Sequence, residues 1–463
     1  MKKQTESERR LATNKELASK VIAHAKKMGA ETASVSLASA TAFQVEARNE
    51  RIESLKESKS SGIHVLLGKE HRRSSFSSND LRLESILPMM QSTLDALPYM
   101  EADPFYTLPD PELQGRADLE LRFEDFDFDQ YSSQTKIEKI FQLERKTLAL
   151  DPRLQTEQVY YSDMKSHGVY ADSNGFLEGQ TKTLYCAGIS IFAEDPPHLS
   201  SEETPSSALN TARKQTDGWY STSRFYNTLE PLQSVAERAS HRVLRKLGAV
   251  KPSTQKVPVV FSPEMARSFL SSVASAMMGS NIFRKRSFLY NRLDEKIAND
   301  QINLKDQPLL PGGMGSRYFD SEGVRASPLV LIEDGVLRNY MLSTYSSNKL
   351  SKTTTGHASG ISNLILTPGT LTEKELIASV DNGLYLTSMS GQGSNITTGD
   401  YSRGGQGIWI RDGLLAEPVS EFTLASTFMD MLNDIVMIAS EVDPRESILS
   451  PSFKIKEISI SGS

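Results

Sequence analysis

The sequence is almost without cysteine: Cys186 is the one such residue among 463. An intramolecular disulfide cannot form, and a zinc site built on cysteine pairs is excluded. That fits a reducing compartment. Long apolar runs are missing as well. No stretch approaches the roughly 18 apolar residues of a membrane helix, and Met1–Arg10 lacks the apolar core of a signal peptide. The expectation is a soluble, cytoplasmic chain without a membrane partner. Positive charge is in deficit, with 52 Lys and Arg against 58 Asp and Glu. A broad basic face, and with it binding driven by nucleic-acid phosphates, is therefore not expected.

Several catalytic patterns are absent too. The histidines are His24, His64, His71, His167, His198, His241 and His357, and none has a second histidine three to five residues away. A helical His-Glu-x-x-His metal site is thereby excluded, leaving only ligands assembled from distant histidines. Gly391-Gln392-Gly393-Ser394 does not fit the G-x-S-x-G nucleophile elbow, nor does any other stretch. A phosphate loop of the G-x-x-x-x-G-K-[ST] type is missing; Gly312-Gly313-Met314-Gly315 reads as a turn or a close backbone approach. Cys186, among apolar strand residues, reads as a buried, inert thiol.

What is present suits a globular chain: 38% hydrophobic and 24% charged residues, with length for about two to four domains. Periodicity and turn chemistry suggest a flexible tail (1–12), an α/β N-terminal domain (13–110), a central α/β domain (111–229) and a strand-rich C-terminal domain (230–463). The fold class is α+β, with a barrel-like or sandwiched C-terminal sheet. Thr13 and Glu16 form a capping box for a helix that carries Leu17, Val21, Ala25 and Met28 on one face and stops at Gly29. Strands are expected at 43–48, 51–56, 63–67 and 72–77, as a meander on that helix. Further helices are expected at 80–97 and 136–150.

Between those helices, Asp125, Asp127 and Asp129 alternate with Phe126 and Phe128. This is a solvated linker with packed aromatics or, less in keeping with its missing glycine and distal glutamate, a calcium loop. Asn174-Gly175 signals a type I′ hairpin leading into a strand at 183–193, and residues 195–218 read as a mobile excursion. In the C-terminal part, helices are expected at 231–247, at 262–279 behind an N-cap Ser262, and at 422–439. Strands are expected at 256–261 and 453–460. Asp334-Gly335 and Asp412-Gly413 are hairpin turns.

The densest motif is Gly391-Gln392-Gly393-Ser394-Asn395, then Thr398-Gly399-Asp400-Tyr401-Ser402-Arg403-Gly404, followed by Trp409, Asp412-Gly413 and Pro418-Val419. With Phe283-Arg284-Lys285, Phe319-Asp320, Glu322-Gly323, Gly356-His357-Ala358, Glu46, Arg48-Asn49 and Ser173-Asn174-Gly175-Phe176, it resembles the TldD/PmbA family over nearly the whole chain. The upstream motifs are similar to its TldE/PmbA branch. In the TldD branch a helix carries His-Glu-x-x-x-His and a later cysteine completes the metal site. The matching positions here are Leu270, Ser271 and Ser275, and the C-terminal half has no cysteine.

The resemblance thus implies a non-catalytic, metal-free subunit, with zinc in a TldD-like partner. It implies action of the pair on unfolded or leader peptides, and a homodimer when the chain is isolated. Peptide binding is expected at Gly391, Gln392, Asn395, Thr398, Gly399, Asp400, Tyr401, Ser402 and Arg403, with Asp400 or Arg403 orienting a peptide terminus or amide; the other reading of this run is a buried turn linking two strands. His357, in a glycine-flanked polar loop, is a further candidate, alongside its reading as a hydrogen-bonded structural histidine. Two other readings stand: an autonomous peptidase with an unrecognised site, and a regulatory binding protein.

Overall fold

A computed structural model describes residues 5–195 and 213–462. The first half is built on a six-stranded antiparallel sheet. Its elements are α1 (Glu6–Lys27), β1 (Thr32–Arg48), β2 (Arg51–Lys69), β3 (Arg72–Ser78), α2 (Leu83–Ala96), α3 (Ser133–Leu148), β4 (Gln155–Asp172), β5 (Leu177–Glu194), β6 (Lys214–Ser223) and α4 (Leu232–Leu244). The strand order is β3-β2-β1-β4-β5-β6. Side-chain alternation assigns the two faces. Val35, Leu37, Ile63, Val65 and Val169 pack with Val21, Ile86 and Met90 of α1 and α2. Further along the same face, Phe43, Val45, Val159 and Ile189 pack with Ile140, Leu143, Val235 and Ala239 of α3 and α4. All four helices thus cover one face and leave the other without helices.

The expected meander on a helix is present, with strands longer than their apolar runs. Its start differs. Helix α1 is capped by Thr5, which forms a reciprocal capping box with Glu8, so residues expected as a tail are helical. Glu6 and Glu8 in the first turn, with His24, Lys26 and Lys27 in the last, complement the helix dipole. Thr13 lies inside the helix and donates its hydroxyl to the Arg9 carbonyl. The Asn174-Gly175 turn is not type I′, which needs positive φ at both residues; only Gly175 has it, at 104°. The carboxylate of Asp172 shapes the wider turn by accepting from the Asn174 and Phe176 amides.

The carboxylate-rich linker pins itself to the sheet. Asp125 accepts from the Tyr185 hydroxyl and the Tyr226 amide. Phe128 is buried, whereas Phe126 is 78% exposed. Most of the expected excursion at 195–218 lies outside the described residues; its last part, from Lys214, is β6.

The second half contains β7 (Gln255–Phe261), α5 (Pro263–Ala276), α6 (Gly279–Phe283), β8 (Leu304–Asp306), β9 (Leu329–Glu333), β10 (Val336–Leu337), α7 (Thr344–Lys349), β11 (Leu364–Leu366), α8 (Glu373–Ala378), β12 (Asn382–Ser390), β13 (Asp400–Arg411), β14 (Leu414–Thr427), α9 (Phe428–Asn433), β15 (Ile435–Ile438), β16 (Ile448–Leu449) and β17 (Phe453–Ser461). Strands β14-β13-β12-β7-β17 follow one another, and pairing of β14 with β17 closes them into a five-stranded barrel. The fold is therefore α+β, as expected. A smaller sheet, β10-β9-β8-β11-β16, lies alongside. Phe269 of α5 packs among Phe261, Tyr401, Phe428 and Phe453.

Both Asp-Gly turns have positive φ at both residues, 47° and 76° at Asp334-Gly335 and 50° and 75° at Asp412-Gly413, the type I′ signature. The expected helix at 422–439 is overturned: the segment is the end of β14, the short α9 and β15. Phe422 and Leu424 alternate along the barrel wall, and Thr427 caps α9 by accepting the Asp430 amide. Barrel closure, a tertiary effect, decides this segment over its helical spacing. Helix α5 starts after Ser262 as expected, but the Ser262 hydroxyl makes no capping bond.

Candidate functional site

Strands β12 and β13 run past the barrel wall into the Gly391–Gly399 loop. The loop is held from within. The Asn395 amide donates to the Asp400 carbonyl, the Gly399 amide to the Asn395 carbonyl, and the Ser402 amide to the Gly393 carbonyl. The Asn395 side-chain oxygen accepts from the Thr397 and Thr398 amides, a local turn of the kind asparagine favours. Thr398 donates its hydroxyl to the Asp400 carboxylate. Two glycines are dictated by geometry: a Cβ at Gly393 would lie 1.7 Å from the Ser402 carbonyl oxygen, and Gly399 has φ +90° beside Phe288.

The structure thus gathers the expected residues on one loop and divides them by exposure. Gly391, Gln392, Asn395, Thr398, Asp400 and Ser402 are exposed; Gly399 and Tyr401 are buried. Tyr401 packs inward, its hydroxyl on the Met389 sulfur. Arg403 is half-buried, and its Nε donates to the Ser390 carbonyl at 3.3 Å.

His357 lies apart from this loop, 1% exposed. Its Nε2 is 3.1 Å from Asp306 Oδ2, and its Nδ1 is 2.7 Å from the Thr355 carbonyl. Asp306 also accepts from the amide and hydroxyl of Ser362. Burial pushes the Asp306 carboxyl up, but the hydrogen bonds from His357 and Ser362 outweigh it and hold the group below its usual range. The histidine is a strut in a closed polar network and reaches no surface.

The glycine cluster at 312–315 is a close backbone approach: a Cβ at Gly315 would meet the Ser362 carbonyl at 2.0 Å. Cys186 is half-buried rather than fully buried as expected, and desolvation still raises its thiol to about 11, so it stays protonated at neutral pH.

Residues 126–247 match the PmbA/TldA metallopeptidase central domain, and residues 254–462 its C-terminal domain. The chain belongs to the PmbA/TldD family. It is 29% identical over 462 residues to the metalloprotease PmbA of Escherichia coli O157:H7, covering 99% of this chain and 98% of that one. The crystal structure of a Bacteroides thetaiotaomicron protein described as a modulator of DNA gyrase has a TM-score of 0.90 at 29% identity, covering 97% and 99% of the two chains. TldE from Thermococcus kodakarensis shares the fold, with a TM-score of 0.83 at 16% identity over 96% and 100%.

A metallopeptidase family raises the question of ligands. Helix α5 places Leu270 in the core and Ser271 at the surface, while Ser275 donates its hydroxyl back to the Ser271 carbonyl. An alkyl group has no lone pair, and serine is a poor zinc ligand. Among the described residues, no three His, Cys, Asp or Glu are placed to hold a metal ion. The residues of α5 do not fit zinc. Also among the described residues, no helix is long and apolar enough to cross a membrane.

Three cations that no sequence motif connects also come together. Lys182 on β5, half-buried, lies with the buried Arg224 after β6 and the buried Arg317 in the segment that crosses the open face of the first sheet. In the sequence, Lys182 looks like an ordinary solvent-facing strand residue between Thr181 and Thr183, and nothing in the pattern marks it.

Proposed function

We propose that this chain is the metal-free partner subunit of a PmbA/TldD-type metallopeptidase, supplying peptide-binding wall rather than hydrolytic chemistry. The observation that carries this is the donor set of α5: where a metal-bearing relative needs imidazole and carboxylate, this helix offers Leu270, Ser271 and Ser275. Hydrolysis requires an activated nucleophile or a metal-bound water, and the TldD-like partner supplies it.

The role of this chain is proximity and orientation. The exposed rim of Gln392, Asn395, Thr398, Asp400 and Ser402, with Arg403 beside it, faces the peptide, and the internally bonded loop holds that rim rigid. An extended peptide takes its affinity mainly from main-chain hydrogen bonds, which suits unfolded and leader peptides of varied sequence. Without its partner the chain forms a homodimer. Leu414 and Leu415, 70% and 41% exposed at the β13–β14 turn, supply apolar surface for a two-fold contact. A cytoplasmic location suits the lone free thiol.

The test is peptide cleavage by the purified, tag-free chain, by a TldD-like subunit, and by their mixture. Cleavage of an unfolded peptide is expected to be at least ten-fold faster in the mixture than with either alone, with no stoichiometric zinc in this chain by elemental analysis. Chelator-resistant cleavage that tracks with this chain alone would overturn the proposal.

A further inference from the structure

The face of the first sheet without helices is not filled by the second half. A trough of about 650 Å³ runs between it and the segment 314–321, a volume typical of small-ligand sites. Its floor is built from small residues that face one another across three strands: Ala38 on β1 is opposite Gly62 on β2 and Gly168 on β4. A Cβ at Gly168 would meet nothing within 4 Å, so the floor there is open. One wall carries Lys182 and Arg317.

The cations of this wall are unusual in making no ion pair among the described residues, and only the charges of Asp306 and Asp320 reach Arg317 from nearby. Lys182 donates from Nζ to the Ser316 carbonyl at 2.9 Å. Arg317 donates to the Ile361 and Gly360 carbonyls. Arg224, behind them, donates to the Thr183 and Met314 carbonyls. All of these acceptors are neutral. Among the described residues, none of the three cations stands within ion-pair distance of a carboxylate, and the Nε of Arg224 and of Arg317 is buried without a partner. Two carboxylates are nearby, and both are committed. Asp306 is held by His357 and Ser362. Asp320, on the same wall, accepts from the Glu322, Val324 and Ala358 amides. Burial, with repulsion from Arg224 and Arg317, lowers Lys182 to about 7. Buried charges are ordinarily paired, and three cations share only the field of Asp306 and Asp320, which leaves this wall able to take an added anion.

We propose that this trough binds the C-terminal carboxylate of an extended peptide, with Lys182 contacting the carboxylate and Arg317 and Arg224 supplying positive field behind it. The narrow floor of Ala38, Gly62 and Gly168 suits a slender chain, and the presence of Asp320 on the wall favours a monoanion over a doubly charged group. The peptide as carrier rests on the function proposed above; the anion site itself rests on the cations and the trough alone.

Calorimetric titration of the full chain, without any partner, tests this with N-acetylated hexa-alanine as the free acid and as the C-terminal amide, and with inorganic phosphate. The free acid is expected to bind at least ten-fold more tightly than the amide. Lys182→Gln should bring the acid down to the affinity of the amide. Gly168→Val, which fills the floor without touching the cations, should weaken both peptides at least five-fold. Unfolding curves of both variants show that they are folded.

Equal affinity for acid and amide, a preference that survives Lys182→Gln, or no binding of the free acid at millimolar concentration overturns the proposal. Phosphate binding that depends on Lys182 while neither peptide binds also overturns it, in favour of a free oxyanion. Because no cleavage is measured, a Lys182-dependent preference for the acid stands even if the mixture with a TldD-like subunit proves inactive.

Discussion

Two buried polar clusters lie within one short stretch of the fold and are built on opposite terms. Around Asp306, the carboxylate, His357 and Ser362 satisfy one another, at 0%, 1% and 0% exposure. Around Lys182, three cations find neutral carbonyls and the face of the Phe123 ring and, among the described residues, no ion pair. The first cluster is complete and so behaves as structure: it ties β8 to the 355–362 loop. The second is incomplete and raises the cost of folding for as long as it remains so. A polar network inside a protein is favourable when every member is satisfied and expensive when one is not. The difference between the clusters therefore separates a strut from a site.

The largest effect that tests this contrast is on the complete cluster. Asp306→Ala leaves the His357 ring and the Ser362 amide and hydroxyl without their acceptor in a dry interior. A loss of about 3–5 kcal/mol is expected, because each buried donor left without its acceptor costs about 1–3 kcal/mol, measured by denaturant unfolding. The pH dependence follows from linkage. The folded-state pKa of Asp306 lies below the ordinary 3.8. Its contribution is therefore complete above about pH 4 and declines as pH falls into the depressed range. The difference between wild type and Asp306→Ala should narrow on acidification below pH 4. An unchanged difference at pH 3 would mean that the cluster is not held by charge.

A smaller cut should give a smaller loss. Ser362→Ala removes one hydroxyl donor and leaves His357 and the residue-362 amide on Asp306. About 1.5–3 kcal/mol is expected, the net value of one hydrogen bond to a charged group. A loss as large as that of Asp306→Ala would show that the network fails as a unit rather than bond by bond.

How far these features could be read from the sequence follows the range of the forces involved. The Asp-Gly turns were legible because φ at two adjacent residues decides them. So was the Gly391–Gly404 motif, in which Gly393 answers to Ser402 within the same loop, although Gly399 sits against the distant Phe288. The start of α1 was misplaced because Thr13 and Glu16 mimic the capping pattern that Thr5 and Glu8 form. The 422–439 segment was misread because Phe422, Leu424, Phe428, Met431 and Leu432 carry mixed spacing, and only the closure of β14 on β17 resolves it. His357 stood out for its glycine-flanked loop, yet its partner Asp306 lies 51 residues away and carried no mark. Lys182, Arg224 and Arg317 are joined only by the fold.

The last and smallest effect has the opposite sign, and for that reason it tests the contrast most sharply. Lys182→Met removes a cation that the folded chain confines near two others. It forfeits one hydrogen bond to the Ser316 carbonyl, worth about 1 kcal/mol, and relieves the cost of desolvation and repulsion. The folded-state pKa is about 7 against an ordinary 10.5. Between those values the unfolded chain binds more protons than the folded one, so wild-type stability rises with pH across that window through this group. The cost is fully present below pH 7 and gone above about pH 10.5. Lys182→Met is therefore expected to be more stable than wild type at pH 6, with the advantage shrinking and then reversing by pH 10, where only the lost hydrogen bond remains. Denaturant unfolding of both proteins at pH 6, 8 and 10 measures it. A variant less stable than wild type at pH 6 would mean that Lys182 is already neutralised by the fold, and the two clusters would then be of one kind.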